Sequence, residues 1–121
     1  AACDKLGELK LRLDAAVLDD RSRGWNTEWL LALELGFQLD VAQAMAHSAL
    51  ARRESRGSHQ RLDGYTEHDV HFLQHSLAYY QGAAAPRIDY GPVKITSSQP
   101  GKRVYGAAGD EADAARKAAQ G

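Results

Sequence analysis

The segment from Asn26 to Asp63 reads NTEWLLALELGFQLDVAQAMAHSALARRESRGSHQRLD and decides how the chain folds. Asn26 and Thr27 are both residue types that cap a helix N-terminus. The apolar residues that follow recur at helical spacing, and no charged residue occurs from Val41 to Ala51. Because a helix that is apolar on most sides is normally buried, the segment predicts a long, buried helix that runs to about Arg53.

The end of this helix is basic and is interrupted by a glycine. We expect Gly57 to end the helix, since glycine adopts the left-handed C-cap conformation at little cost. Arg52 and Arg53 would then lie in the last turn, near the negative end of the helix dipole. Four arginines around one glutamate exceed what capping requires, and Glu54 is the expected internal ion-pair partner of Arg56 or Arg61.

Arginine forks bind carboxylates, carbonyl groups and phosphates, so two roles are open for this cluster. One is the binding of an anionic substrate such as a dicarboxylate. The other is to lock the domain onto a neighbouring domain or subunit, which we favour because the sequence shows no convergent cradle. The residues predicted to dock in this way are Arg52, Arg53, Glu54, Arg56, His59 and Arg61.

The segment ARRESRGSHQRLD also resembles a signature in the C-terminal domain of fumarate reductase and succinate dehydrogenase flavoprotein subunits. The resemblance extends to NTEWLLALELG, TEHDVHFLQHSLAY and YGPVKITSSQPGKRVYG, and the last of these is closer to bacterial fumarate reductase. It covers the chain from about Asp20 to the C-terminus, and the first helix more weakly. The positions that match the signature are Arg52, Glu54, Ser55, Arg56, Gly57, His59 and Arg61.

This resemblance implies a parent oxidoreductase of anaerobic electron transport that carries FAD in another domain. It implies a domain with no catalytic, cofactor-binding or metal-binding residue of its own, inactive when alone. The implied partners are the flavin-binding domain of the same polypeptide and an iron–sulfur subunit. The implied location is the cytoplasm, peripheral to the inner face of the cell membrane. L-aspartate oxidase shares a related Glu-Ser-Arg-Gly segment and is the alternative within the superfamily.

Composition agrees with one small globular domain of 121 residues, with 44% hydrophobic and 26% charged residues. The net charge of −1 gives no global field for nucleic acid, and no apolar run is long enough for membrane insertion. The single cysteine, Cys3, excludes an internal disulfide and suggests a reducing compartment. Ala1 leads directly into a helical pattern without an initiator methionine, so we expect a piece of a longer protein.

The remaining sequence predicts a mainly α fold, a small bundle of about three helices with one short β-hairpin and an extended C-terminal tail. The first helix is expected at Cys3–Asp14 and a third at Thr66–His75. SLAYY and PRIDY are the expected arms of the hairpin. We expect a helical domain over residues 1–95, followed by an extended tail and a possible terminal helix over residues 96–121. Trp25 is expected to pack back on the long helix as a hydrophobic staple.

The histidines give an alternative function from another class. His68, His71 and His75 would lie on one face of the third helix, at a spacing that suits a transition metal. A free-standing three-histidine metal-binding or interaction module is therefore the second hypothesis, and calorimetric titration with zinc would distinguish it. An exposed polar helix face is the simpler interpretation, because neither a carboxylate partner nor an orienting second layer can be identified. For His59 we favour a structural anchor over proton transfer.

Overall fold

The computed structural model describes residues 1–98 and residue 118, and its elements match the predicted fold class. Two long helices, a short third helix and a two-stranded antiparallel hairpin follow one another along the chain. The predicted extended tail and terminal helix lie largely outside the described residues. The elements are α1 (Ala2–Asp14), α2 (Thr27–Ala51), α3 (Asp69–Phe72), β1 (Gln74–Tyr79) and β2 (Arg87–Pro92).

Helix α2 begins where the sequence predicts. The side chain of Asn26 accepts a hydrogen bond from the Trp29 backbone N–H at 2.7 Å, and so satisfies one of the free donors of the first turn. The other end differs from the prediction, because α2 ends at Ala51, with Arg52 as an extended C-cap. Gly57 lies instead in a tight turn closed by a bridge between Arg56 and His59, with φ of 60°.

Helix α1 packs against α2 at a position where α2 has a glycine. A side chain at Gly36 would meet Leu13 Cδ2 at 3.7 Å, so the α1 leucine lies directly on this part of α2. Lys10 adds a polar clamp, since its Nζ lies 2.7 Å from the Asp40 carboxylate and 3.2 Å from the Gly82 carbonyl oxygen. One lysine therefore joins α1, α2 and the hairpin loop.

The third helix is much shorter than predicted. Only Asp69–Phe72 is helical, and β1 begins at Gln74. Strand pairing explains the difference, because Gln74 and His75 lie opposite Pro92 and Gly91 in the hairpin ladder. The hairpin itself is confirmed, and its connecting loop contains Gly82 with φ of 64°.

The prediction of a buried α2 is also wrong for this chain. Leu39 and Gln43 are the buried residues of α2, and Leu39 is the one buried apolar side chain among the described residues. The large apolar side chains that stay exposed on α2 are Trp29, Leu30, Leu31, Leu33, Leu35, Phe37, Val41, Met45 and Leu50.

Trp25 does not form the predicted staple. Its side chain is 100% exposed and so does not pack on the helix, and its φ of 55° is a left-handed conformation. None of the helices in the described part of the chain is long and apolar enough to cross a membrane.

Candidate docking site at the arginine motif

Glu54 is the centre of the arginine motif. Its side chain has no exposed surface, and its carboxylate accepts hydrogen bonds from Arg52 Nε at 2.8 Å and from Arg56 Nε and Nη2 at 3.0 Å each. The backbone N–H of His68 adds a fourth bond at 3.0 Å. Burial by itself raises the pKa of Glu54, but the bonds from Arg56, His68 and Arg52 outweigh it and lower the pKa below its ordinary value.

Arg52 joins the end of α2 to the hairpin. Its Nη1 donates to the Gln74 carbonyl oxygen and to Ser76 Oγ, both at 3.0 Å, and its Nη2 donates to the Phe72 carbonyl oxygen. The guanidinium carbon also lies 5.6 Å from the centre of the Phe72 ring. This guanidinium is therefore occupied by the chain itself, and it holds α3 and β1 against the helix end.

Arg61 caps the C-terminus of α2. Its Nη1 donates to the carbonyl oxygens of Ala49 and Leu50 at 3.1 Å and of Arg52 at 3.2 Å, which are acceptors that a helix end leaves free. The other side of the fork binds Asp63, at 2.8 Å from Nε and 2.5 Å from Nη2. These bonds lower the pKa of Asp63.

The turn that connects these arginines is held by its own polar groups. The backbones of Arg56 and His59 exchange hydrogen bonds of 2.9 and 3.0 Å, and His59 Nε2 lies 3.3 Å from the Arg52 carbonyl oxygen. Ser55 Oγ donates to the Tyr65 carbonyl oxygen at 2.6 Å and accepts from the Arg61 backbone N–H at 3.0 Å.

Sequence reasoning missed the parts played by Ser55 and Asp63. Both lie within the signature segment or at its edge. Asp63 stands two residues after Arg61, a spacing that is a usable signal for a local ion pair. Ser76 had no such signal, because its contact with Arg52 depends on the hairpin.

Arg53 differs from the other five residues of the predicted docking set. Its side chain is exposed and forms no hydrogen bond or ion pair with another described residue. It lines an open groove of about 750 Å³, together with Leu50, Arg61 and Tyr65 among others. The other five members hold the fold together, whereas Arg53 acts on the described residues only through its charge, which helps to lower the pKa of Asp63.

The three candidate metal-binding histidines do not share a helix face. His68 precedes α3, His71 lies in it, and His75 lies in β1 opposite Gly91. The His68 and His71 rings are stacked in parallel, with centroids 4.8 Å apart and 2° between their planes. Within residues 1–98 and 118, no group of three or more His, Cys, Asp or Glu side chains is arranged to hold a metal ion.

Comparison with known proteins decides the family. The family described as "Fumarate reductase flavoprotein C-term" matches residues 1–105. The chain belongs to this family. It is similar to the fumarate reductase flavoprotein subunit of Haemophilus influenzae, with 56% identity over 97% of this chain and 20% of the relative. It is also similar to the fumarate reductase flavoprotein subunit of Escherichia coli strain K12, with 51% identity over 95% of this chain and 19% of the relative.

A solved structure gives the same result for the fold of this fumarate reductase flavoprotein C-terminal domain. A variant of E. coli quinol fumarate reductase superposes with a TM-score of 0.80 and 48% identity, over 85% of this chain and 18% of that one. The chain therefore spans about a fifth of the length of the relatives that it matches.

Proposed function

We propose that this domain works as a structural part of a flavoprotein subunit that interconverts fumarate and succinate and exchanges electrons with quinone. In this role it buttresses the FAD-binding domain of the same polypeptide. It also contributes to the face that meets an iron–sulfur subunit. The domain has no activity alone, because most of its charged motif holds its own elements together.

The exposed apolar surface of α2 carries this proposal. Phe37, Val41 and Met45 recur every four residues and so form one stripe along the helix, and each is at least 60% exposed. Helices this apolar are normally covered, and a contiguous apolar surface of this kind marks a contact with another protein surface. Since the relatives are about five times longer than this chain, the rest of the polypeptide is the natural cover.

Arg53 supplies the polar part of the contact. It lies at the end of α2, beside exposed Leu50, and its guanidinium is not used within the described residues. A fork with free donors fits a carboxylate or a row of backbone carbonyls on the neighbouring surface. Of the six residues predicted to dock, we therefore assign direct contact with the neighbouring surface to Arg53 alone. The other five hold the local fold that positions it: Arg52, Glu54, Arg56, His59 and Arg61.

FAD is assigned to the rest of the parent subunit. The flavin supplies hydride transfer when it is bound, but the occupied donors of Arg52, Arg56 and Arg61 do not fit its phosphates. The guanidiniums of Arg52 and Arg56 face the Glu54 carboxylate, and Arg61 faces Asp63 and three carbonyl oxygens. No step of the reaction is therefore routed through these residues.

We further propose that the parent complex lies at the inner face of the cell membrane, with this domain on the cytoplasmic side and outside the lipid. One similar solved structure is a quinol–fumarate reductase with menaquinol molecules, which supports a quinone-linked parent. The L-aspartate oxidase alternative is set aside, because the matching family is that of fumarate reductase flavoproteins. The hypothesis of a three-histidine metal-binding module assumed one shared helix face. The histidines do not share one, because they lie on separate elements.

Substitution on the exposed stripe tests the proposal. In the full parent subunit, Phe37→Asp should impair assembly with the iron–sulfur subunit, FAD retention, or both. Gln38→Asp is the matched control, because it places the same charge on the next residue of the same helix, at an exposed polar position. Equal assembly and FAD content in the two variants would count against a covered apolar face.

A further inference from the structure

A groove at the start of α2, which we call the tryptophan groove, is separate from the arginine motif. Its volume is about 800 Å³. Its apolar walls include Leu18, Trp25, Trp29 and Leu30, and these include both tryptophans of the chain. Trp25 is 100% exposed and Trp29 is 56% exposed. Tryptophan is among the residues most enriched at the energetic centres of protein interfaces.

The loop that presents Trp25 is held in place by hydrogen bonds. Asn26 Nδ2 donates to the carbonyl oxygens of Asp20 at 2.8 Å and Ser22 at 3.1 Å, while the Asp20 backbone N–H donates to Glu28 at 2.7 Å. Within this fixed loop Trp25 adopts φ of 55°, which residues with side chains rarely adopt. A strained backbone that points a large aromatic ring into solvent is a feature of recognition sites.

Two arginines, Arg21 and Arg23, and one carboxylate, Asp20, line the groove. Both arginines are exposed and form no ion pair or hydrogen bond through their side chains with another described residue. The Asp20 and Glu28 carboxylates bind backbone N–H groups of the loop and not these guanidiniums, with Asp20 Oδ1 accepting from the Ser22 N–H at 2.8 Å and Glu28 accepting from the Asp20 N–H at 2.7 Å. A ligand with carboxylates therefore meets two free guanidiniums.

We propose that the tryptophan groove docks an acidic protein segment in the assembled enzyme. A carboxylate of the segment binds Arg21 and Arg23, and an apolar side chain next to it packs between Trp25 and Trp29. This inference rests on the proposed function, in that the domain works inside a larger assembly. An anionic membrane surface also attracts tryptophan and arginine, but a concave groove of this volume favours an inserted side chain over a flat lipid surface.

Photo-crosslinking in the assembled parent complex, kept in its native membrane, tests the proposal. Trp25 is replaced by p-benzoylphenylalanine, an aromatic residue at a fully exposed position, and the cross-linked product is identified by mass spectrometry. Tyr80 is the matched control, because it is an exposed aromatic residue outside the groove. The expected result is a cross-link from position 25 to one protein segment that contains Asp or Glu next to an apolar residue.

Charge reversal supplies the second measurement. The double change Arg21→Glu and Arg23→Glu should lower the cross-link yield at position 25 at least about fivefold, while the yield at position 80 stays unchanged. A lipid adduct, a cross-link to a segment without carboxylates, or a yield that charge reversal does not alter would overturn the proposal. Each of these results leaves the comparison of Phe37→Asp with Gln38→Asp intact, so failure here is distinguishable from failure of the proposed function.

Discussion

Arg52 Nη2 lies 2.7 Å from the carboxylate of Glu54, whose side chain has no contact with solvent. The two residues are separated by one position in the sequence, yet their contacts reach α3, β1 and the end of α2. The arginine motif is therefore an internal joint of the domain. We therefore propose that recognition of other surfaces depends on residues outside this joint.

Removing the buried carboxylate should destabilise the domain strongly. We expect Glu54→Ala to lower the free energy of unfolding by about 3–5 kcal/mol, because Arg52 and Arg56 lose their shared buried counter-ion. Urea denaturation measures this change. Glu67→Ala is the control, since Glu67 is 45% exposed and lies 3.4 Å from Arg56, and it should cost less than about 1 kcal/mol. Similar losses of unfolding free energy in the two variants would contradict a structural role for the buried Glu54 carboxylate.

The same carboxylate predicts a dependence of stability on pH. The pKa of Glu54 is lowered in the folded state, so its contribution is fully present above the unfolded value of about 4.3 and is lost as the pH falls through the folded pKa. Urea denaturation at a series of pH values should show the wild type losing its advantage over Glu54→Gln toward acid pH. A stability difference between the wild type and Glu54→Gln that grows as the pH falls would contradict this prediction.

Arg61 should control the last turn of α2. Arg61→Ala removes the donor to three helix-end carbonyl oxygens, and we expect a loss of about 1–3 kcal/mol, with faster hydrogen exchange in the last turn. Arg53→Ala is the matched control and should stay within about 0.5 kcal/mol, because Arg53 makes no such contact. Unchanged exchange in the last turn of Arg61→Ala would rule out the capping function.

Trp25 should make the isolated chain less stable than a glycine at the same position would. In the 121-residue chain, Trp25→Gly should raise the free energy of unfolding by about 0.5–1 kcal/mol, because glycine relieves the positive φ and the exposed ring makes no packing to lose. Thermal denaturation of the two chains measures the change. A clear loss of stability would mean that the ring supports the loop instead of waiting for a partner.

Local signals in the sequence predicted the fold well where the structure depends on neighbours along the chain. Asn26 and the apolar pattern after it fixed the start of α2, and the two runs around the glycine-containing loop predicted the hairpin. The helical spacing of the three histidines failed, because strand pairing overrides it from Gln74 onward. The competition between helix formation and strand pairing depends on residues far along the chain, so a local sequence pattern cannot show it.

The site was harder to predict than the fold. Of the two partners predicted for Glu54, Arg56 binds it, whereas Arg61 binds Asp63 instead. Arg52 and the His68 backbone also bind Glu54, and the His68 contact forms only after the chain has turned back. Gly57 was assigned to the helix end because glycine commonly serves there, whereas the guanidinium of Arg61 caps this end from outside the helix. The exposure of α2 could not be predicted from its apolar pattern, because such a pattern does not show whether the covering surface belongs to this chain.

Complementation in trans tests whether the parent subunit needs this domain to retain flavin and to assemble. The parent flavoprotein subunit is truncated to remove this domain, and the 121-residue chain is then added back. FAD retention, assembly with the iron–sulfur subunit and fumarate reduction are measured with the wild-type chain and with Phe37→Asp. We predict that the wild-type chain restores all three and that the variant restores them poorly. A truncated subunit that retains flavin, assembles and turns over normally without the domain would contradict the account.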